Sequence, residues 1–308
     1  MATSTAARTG ETGAGASRSQ GARTGRTTAD GRSESRTKVL LYALAALLAV
    51  LVFLAPLLWA LLRAFQPNAV ITATPSASTF FDLTAANFAG LQGLGLLRAV
   101  GNSLLVSVST AALTAVLATA AGYGFGRFRF RLSGVAFGAI LLTLMVPFQA
   151  ILTPLFLQLN AMRLTDSLLG LVLFYTTVNL PFGVFVMRNA FASVPADLED
   201  AAFVDGAGTS RTFFSVLRPL VAPGIATTAL YAFLVSWTEF LGALTFLTRA
   251  ELYTLPVALL NLQQGAYGQV DFGLLAAGAV IAMIPCVVLY VSLQRFYVAG
   301  LASGAVKG

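Results

Sequence analysis

The chain has 308 residues, of which 57% are hydrophobic and 10% are charged, and its mean hydropathy of +0.81 is typical of a membrane protein. One cysteine, Cys286, and the lack of histidine exclude an internal disulfide, His-based zinc sites and Ser-His-Asp triads. Neither of the two lysines, Lys38 and Lys307, lies in a Gly-x-x-x-x-Gly-Lys-Ser/Thr loop, which excludes ATP binding through a P-loop. The net charge is +7, and the basic residues flank apolar segments. This placement favours a role in membrane orientation over nucleic-acid binding.

The first 38 residues contain no Leu, Ile, Val, Phe, Tyr or Trp, and they carry seven basic residues against three acids. Such a segment cannot bury an apolar core, so we predict a disordered, basic cytoplasmic tail over residues 1–38. The remaining residues, 39–308, are predicted to form the transmembrane domain.

Six apolar stretches predict an all-α integral membrane protein, because a helix needs roughly twenty apolar residues to cross a bilayer. The predicted spans are residues 39–62, 100–122, 135–157, 168–186, 224–247 and 272–293. Span two is rich in small residues that let helices approach closely in lipid. Span three contains Pro147 and Pro154, which predict a helix that is buried or lines a cavity.

This layout places fifteen of the nineteen Lys and Arg residues on one side of the membrane. The other side holds Arg63, Arg98, Arg163 and Arg249. Because basic residues concentrate on the cytoplasmic side, the asymmetry predicts that both termini are cytoplasmic.

Residues 191–223, FASVPADLEDAAFVDGAGTSRTFFSVLRPLVAP, form an acidic segment between spans four and five. Pro195 suits the first turn of a helix, and the acids that follow it complement the positive end of the helix dipole. The residues predicted to share one face of this helix are Leu198, Ala201, Ala202 and Asp205. Gly206 is predicted to end the helix in the left-handed conformation.

A second amphipathic piece, residues 210–217, is predicted to stop before Pro219. Small alanines flanked by acids and closed by a glycine suit a helix that fits into a groove of another protein. An ordinary surface connector between two membrane helices accounts for the same pattern.

Glu239 is the one ionisable residue placed deep in a predicted span. An intramembrane acid is costly unless it is satisfied, so we predict that Glu239 faces the translocation path or a polar partner. The alternative is a structural hydrogen bond near the outer end of span five.

The acidic segment resembles the EAA loop of ABC importer permeases, the cytoplasmic coupling helix that docks on the ATPase. The resemblance rests on Asp200-Ala201-Ala202, on Asp205-Gly206 and on the closing Leu217-Arg218-Pro219-Leu220. Aspartate occupies the usual glutamate position, which keeps the charge but shortens its reach by about one methylene.

Further motifs resemble the second permease subunit of maltose-type carbohydrate importers, over about residues 39–308. They are Asn102-Ser103-Leu104, residues 121–128, Met145-Val146-Pro147, residues 179–183, Ser236-Trp237-Thr238-Glu239-Phe240, residues 294–298 and the Gly-rich ending up to Gly308. Thr238 stands where asparagine is usual in this family.

The resemblance implies a type I ABC importer permease fold in the bacterial inner membrane. It also implies a complex with a second permease, two ATPase subunits and an external sugar-binding protein. ATP and magnesium would then belong to the partner ATPase, so we expect no cofactor, no metal site and no enzymatic activity in this chain.

The resemblance assigns candidate roles to three groups of residues. The ATPase-coupling residues are Leu198, Glu199, Asp200, Ala201, Ala202, Asp205, Gly206 and Pro219. The candidate translocation-path residues are Asn179, Trp237 and Glu239, and the candidate C-terminal ATPase contacts are Gly304 and Lys307.

Three alternative functions stay open from the sequence. The first is an ABC permease for a solute other than a sugar. The second is an ion-driven carrier that uses Glu239, although no second acid is evident to pair with it. The third is a membrane prenyltransferase that binds magnesium through Asp197, Asp200 and Asp205, although such chemistry usually needs two facing acidic clusters.

Overall fold

The computed structural model describes residues 31–74, 79–264 and 270–305. The chain forms two compact units, Met1–Ala55 and Pro56–Gly308, and the packing described below lies within the second. Most of the predicted N-terminal tail lies outside the described residues, but the first helix already begins at Gly31. This start precedes the predicted span because extending a formed helix adds one hydrogen bond per residue.

All regular structure in the described residues is helical. In chain order it comprises α1 (Gly31–Ala64), α2 (Asn68–Thr72), α3 (Ala86–Gly93), α4 (Leu96–Arg127), α5 (Ser133–Thr143), α6 (Phe148–Ala161), α7 (Leu168–Ser193), α8 (Asp197–Val204), α9 (Thr209–Thr212), a π-helical turn (Phe213–Leu217), α10 (Arg218–Thr238), α11 (Leu241–Phe246), a 3-10 turn (Ala250–Leu252), α12 (Leu255–Gln264) and α13 (Phe272–Ala305).

Five helical stretches are long and apolar enough to cross a membrane, and one bent pair of helices brings the number to as many as six. The five are Lys38–Ala64, Leu96–Arg127, Leu168–Ser193, Thr209–Thr238 and Phe272–Ser292. The bent pair is α5 and α6. These segments correspond in order to the six predicted spans, which confirms the all-α membrane fold.

Span three is not one straight helix. α5 and α6 meet at an angle of 99°. Pro147 stands immediately before α6 with φ −57° and a ψ of 130°, which is not helical. A residue before proline is disfavoured in the helical region, and proline offers no N–H to the preceding turn. The predicted interruption therefore takes the form of a sharp break at Pro147, whereas Pro154 is accommodated inside α6.

The prediction that the second amphipathic piece stops before Pro219 is wrong. The helical stretch runs without a break from Thr209 to Thr238, through the π-helical turn Phe213–Leu217. Pro219 lies in the first turn of α10, directly after that turn. A π-helical turn changes the local hydrogen-bond pattern, which lets the helix accept a residue that has no N–H.

The predicted end of span five is also wrong. α10 ends at Thr238, and residues 241–246 form the separate short helix α11. Glu239 consequently lies just beyond the end of a long helix and not deep within one.

α4 is the central helix of the second unit, and residues from it belong to each of the three apolar core clusters. Its partner α7 approaches it at small residues, as the composition of span two predicts. A Cβ atom added at Gly126 would lie 2.8 Å from the Cβ of Phe191, and one at Gly183 would lie 2.8 Å from the Cβ of Ala118. Glycine at these positions therefore sets the close contact between α4 and α7.

Candidate coupling surface and the Glu239 cluster

The predicted coupling helix is α8, an eight-residue helix that follows Pro195. Asp197, Glu199 and Asp200 lie in its first turn, where their charges complement the helix dipole. At its other end Gly206 has φ +78°, as predicted. Its N–H donates to the Phe203 carbonyl at 3.0 Å, and the N–H of Ala207 donates to the Ala202 carbonyl at 2.9 Å. These two bonds form a Schellman motif, which fixes where the helix stops.

Most of α8 presents apolar surface to the exterior of the chain. Val204 is 87% exposed, Phe203 46% and Leu198 42%, and Ala201 is exposed beside them. Exposed large apolar side chains on one short helix are typical of a protein interaction site.

The predicted common face of α8 is only partly correct. Leu198, Ala201 and Asp205 are exposed, but Ala202 is buried against its own chain. The reason is that α8 packs on α9 and on the π-helical turn, which cover the side of the helix that carries Ala202.

Glu199 also points away from the exposed surface. Its Oε1 atom lies 2.7 Å from Nε of Arg127, the last residue of α4. Both side chains are largely buried, at 16% and 12% exposure. The other coupling-loop residues, Asp200, Gly206 and Pro219, are exposed.

Glu239 caps the short helix α11. Its carboxylate accepts hydrogen bonds from the backbone N–H of Leu241 at 2.8 Å and of Gly242 at 2.9 Å. The hydroxyl of Tyr175 on α7 donates to the same carboxylate at 2.6 Å. The acid is thus satisfied by polar partners within its own chain, in agreement with the structural alternative.

The other two candidate path residues are buried in different places. Asn179 is 2% exposed, and its Nδ2 donates to the carbonyl of Tyr175 at 2.7 Å. Asn179 thus lies one helical turn after the tyrosine whose hydroxyl contacts Glu239. Trp237 is 3% exposed, stacks on Phe233 and donates from Nε1 to the carbonyl of Ala282 on α13. Tyr175 therefore contacts Asn179 through its carbonyl and Glu239 through its hydroxyl, and Trp237 lies in a separate cluster.

The C-terminal candidates divide between described and undescribed residues. Gly304 lies in α13, which continues to Ala305, beyond the predicted end of span six. No proline follows Pro285, and each glycine in a helix costs only about 1 kcal/mol relative to alanine, so the helix can continue. Lys307 lies outside the described residues.

A loop contact that the sequence analysis missed joins the α6–α7 connection to the segment after α11. Oδ1 of Asp166 accepts from the backbone N–H groups of Thr248 and Arg249, and Oδ2 lies 2.6 Å from Nε of Arg249. Asp166 itself has φ +52°. The two backbone donors, with the Arg249 guanidinium, lower the pKa of the Asp166 carboxyl to about 2. The only sequence signal was one acid and one arginine in two loops assigned to the same side.

Asp197, Asp200 and Asp205 do not form a metal site. Within the described parts of the chain, no group of three or more His, Cys, Asp or Glu residues is arranged to hold a metal ion. The magnesium-dependent alternative therefore has no support from the placement of these acids.

The sequence matches known proteins over most of its length. Residues 115–302 match the model of the family described as "Binding-protein-dependent transport system inner membrane component". The trehalose transport system permease protein SugB of Mycobacterium tuberculosis is 35% identical over 83% of this chain and 93% of its own length. The galactooligosaccharides transport system permease protein GanQ of Bacillus subtilis is 34% identical over 87% of this chain and 94% of its own.

A solved structure has the same fold. A chain of a bacterial ABC transporter involved in the import of the acidic polysaccharide alginate superposes with a TM-score of 0.74, covering 86% of this chain and 98% of that one, at 21% identity. Together with the helical spans and the α8 segment, these matches establish that the chain belongs to the binding-protein-dependent ABC transporter permeases, as a multi-pass inner membrane component and not as an enzyme.

Proposed function

We propose that this chain is the permease subunit of an ATP-driven importer of sugars or oligosaccharides. It forms the translocation path with a second permease, receives its substrate from an external binding protein and is driven by two ATPase subunits. The family match supports the transport role, and the names of relatives such as SugB and GanQ support a carbohydrate substrate.

The observation that carries the ATPase contact is the exposed apolar surface of α8. Its large apolar side chains Leu198, Phe203 and Val204 are all substantially exposed. The end of the helix is fixed by the two hydrogen bonds of the Schellman motif. A rigid, short helix with such a surface suits a groove on a soluble partner, because the partner would bury the apolar area. Asp200, Ala201, Asp205 and Gly206 flank this surface.

The side of the membrane follows from charge. We assign α8 and both termini to the cytoplasm, because the positive-inside rule favours the side that carries most of the Lys and Arg residues. The Asp166–Arg249 contact then lies on the external side, where the binding protein would dock.

Asn179, Trp237 and Glu239 are proposed to shape the path and not to form a complete sugar site. Each makes a hydrogen bond within its own chain. The second permease would supply the remaining walls.

The test of this function is ATP-dependent uptake by cells that carry the whole transport system. Radiolabelled trehalose and galactooligosaccharides are compared with an amino-acid mixture, in cells with and without this chain. We expect chain-dependent sugar uptake that stops when ATP is depleted while the membrane potential is held. Uptake that follows the potential would identify an ion-driven carrier, and chain-dependent uptake of amino acids alone would identify a permease for another solute.

A further inference from the structure

One acid of α8 faces inward, in contrast to its neighbours. Asp197, Asp200 and Asp205 are exposed, whereas Glu199 is paired with Arg127 at 2.7 Å. The pair joins the first turn of the predicted coupling helix to the last residue of α4, which precedes it by 72 positions in the chain. This is a contact between two elements that are not neighbours in sequence.

An aromatic cluster adjoins this ion pair through Tyr123, which lies close enough to interact electrostatically with both Glu199 and Arg127. The ring of Tyr123 on α4 lies 5.4 Å from that of Phe191 at the end of α7 and 5.2 Å from that of Phe213 in the π-helical turn. Phe191 is fully buried. Apolar surroundings exclude water, so the attraction between the two charges is stronger than in an exposed pair, and removal of one partner leaves the other uncompensated.

The end of α4 is itself held against α7. A Cβ at Gly126 would lie 2.8 Å from the Cβ of Phe191 and 3.1 Å from the carbonyl oxygen of Arg188. At Gly122 an added Cβ would overlap the side chain and backbone of Met187. The two helices therefore touch through their backbones at this end of α4.

These contacts connect α8 directly to a membrane-spanning helix. Along the chain, α8 is connected only through residues 194–196 to α7 and through residues 205–208 to α9. Besides its packing on α9 and on the π-helical turn, α8 is joined by the ion pair to α4, the helix that takes part in all three core clusters.

We propose that Arg127 is a positioning residue of the coupling apparatus, which holds α8 through Glu199 so that movement of α8 is transmitted to α4. Glu199 is then an internal tether and not an ATPase contact. This proposal rests on the proposed function of α8, and it assigns the exposed residues to the ATPase and Glu199 to the permease itself.

The test measures the distance between α4 and α8 in the assembled transporter. Spin labels are placed at Arg129 and Ala196, both exposed, in a Cys286→Ser background. Distances are measured by pulsed electron spin resonance without nucleotide and after trapping with MgATP and orthovanadate. The variants are Arg127→Ala, Glu199→Ala and the reversed pair Arg127→Glu with Glu199→Arg.

We expect one narrow distance peak in both states when the ion pair is intact, because α4 and α8 move together. Each single alanine variant should retain the ATPase but lose the narrow peak after vanadate trapping. The reversed pair should recover it, since an inverted ion pair restores the attraction. Arg131→Ala, which removes an exposed arginine four residues beyond Arg127, serves as the control and should leave the peak unchanged.

Two outcomes would contradict the proposal that Arg127 holds α8 through Glu199. A narrow peak in Arg127→Ala would mean that the pair does not hold α8. A loss of membrane insertion and of ATPase retention that the reversed pair does not repair would reduce the pair to a folding contact. Failure of the unsubstituted complex to retain any ATPase would instead contradict the proposed function of α8, so the two failures are distinguishable.

Discussion

Gly206 is the residue on which the shape of the coupling helix depends most directly. Its φ is +78°, and a Cβ added there would meet nothing within 4 Å. A substitution would therefore be limited by backbone conformation and not by space. In the left-handed region a β-branched residue is disfavoured by about 1–2 kcal/mol, so Gly206→Val should redirect the chain after α8.

We predict that Gly206→Val inserts into the membrane normally, loses uptake and fails to retain the ATPase on purification. Gly208→Val is the matched control, because Gly208 is equally open but has φ −75°, which valine accepts. Gly206→Asn should retain part of the activity, since asparagine tolerates the left-handed region. Full uptake and ATPase retention in Gly206→Val would mean that α8 is only a connector.

Glu239 is predicted to stabilise the junction between α10 and α11. Glu239→Ala would leave the N–H groups of Leu241 and Gly242 and the hydroxyl of Tyr175 without their acceptor, at a cost of about 1–3 kcal/mol for a buried group. Glu239→Gln keeps a carbonyl acceptor and should preserve assembly. Thermal unfolding of the purified complex measures the difference between the two variants.

The transport role of Glu239 is tested separately by uptake kinetics. If Glu239 shapes the path, Glu239→Gln should lower sugar affinity or transport rate while the complex stays assembled. Tyr175→Phe removes one donor to the same carboxylate and serves as the comparison. Unchanged affinity and rate in Glu239→Gln would restrict the residue to a structural role.

At the scale of elements, the sequence predicted the number and order of the spans better than their geometry. Apolar length is encoded locally, so each of the six stretches reappears as a helix or as the bent pair. The 99° angle at Pro147 and the continuation of the helix through Pro219 depend on how neighbouring elements pack. Proline marks a position where a helix can break, but it does not determine whether the break occurs.

The coupling segment illustrates the same division. Its start follows Pro195 and is favoured by the acids of the first turn, and its end is set by the left-handed conformation of Gly206; both signals can be read from adjacent residues. The burial of Ala202 and the pairing of Glu199 with Arg127 result from contacts with α9, the π-helical turn and α4. No local pattern specifies these contacts, so the sequence predicted the helix correctly and its inner face only in part.

We predict that the α6–α7 connection and the segment after α11 separate when the contact between Asp166 and Arg249 is lost. Because the pKa of Asp166 is lowered to about 2, the ionised carboxylate stabilises the folded state above its ordinary pKa of 3.8, and this contribution disappears as the pH falls through about 2. Asp166→Asn should therefore lower the unfolding temperature at neutral pH and converge with the unsubstituted protein in acid. The effect should correspond to about 1 kcal/mol or less, because the Arg249 side chain is exposed and the pair is therefore screened by water.

The control for this prediction is Asp82→Asn, since Asp82 is an exposed aspartate in another loop and is not joined to Arg249. Thermal unfolding is followed for both variants across the acid range. An Asp166→Asn difference that stays constant down to the lowest pH would mean that the carboxylate charge is not responsible.

For the whole molecule, the decisive property is which side of the membrane carries α8. The charge asymmetry predicts that α8 is cytoplasmic, and every proposal about the ATPase depends on that placement. Single cysteines at Ala85, Ala250 and Ser210, each exposed, provide reporters in a Cys286→Ser background. A membrane-impermeant maleimide applied to intact cells should label the first two positions, while Ser210→Cys should react only after permeabilisation.

This result would follow from the order of the elements. Ala85 immediately precedes α3, which leads into α4, and Ala250 follows α11, whereas Ser210 lies six residues beyond α8. One long span, α10 with its preceding helical turns, separates Ser210 from the α11 region, so the two regions must lie on opposite sides if that span crosses the membrane. Labelling of Ser210→Cys in intact cells would place α8 outside, where no ATPase can reach it. Labelling of all three positions in intact cells would mean instead that Thr209–Thr238 does not cross the membrane.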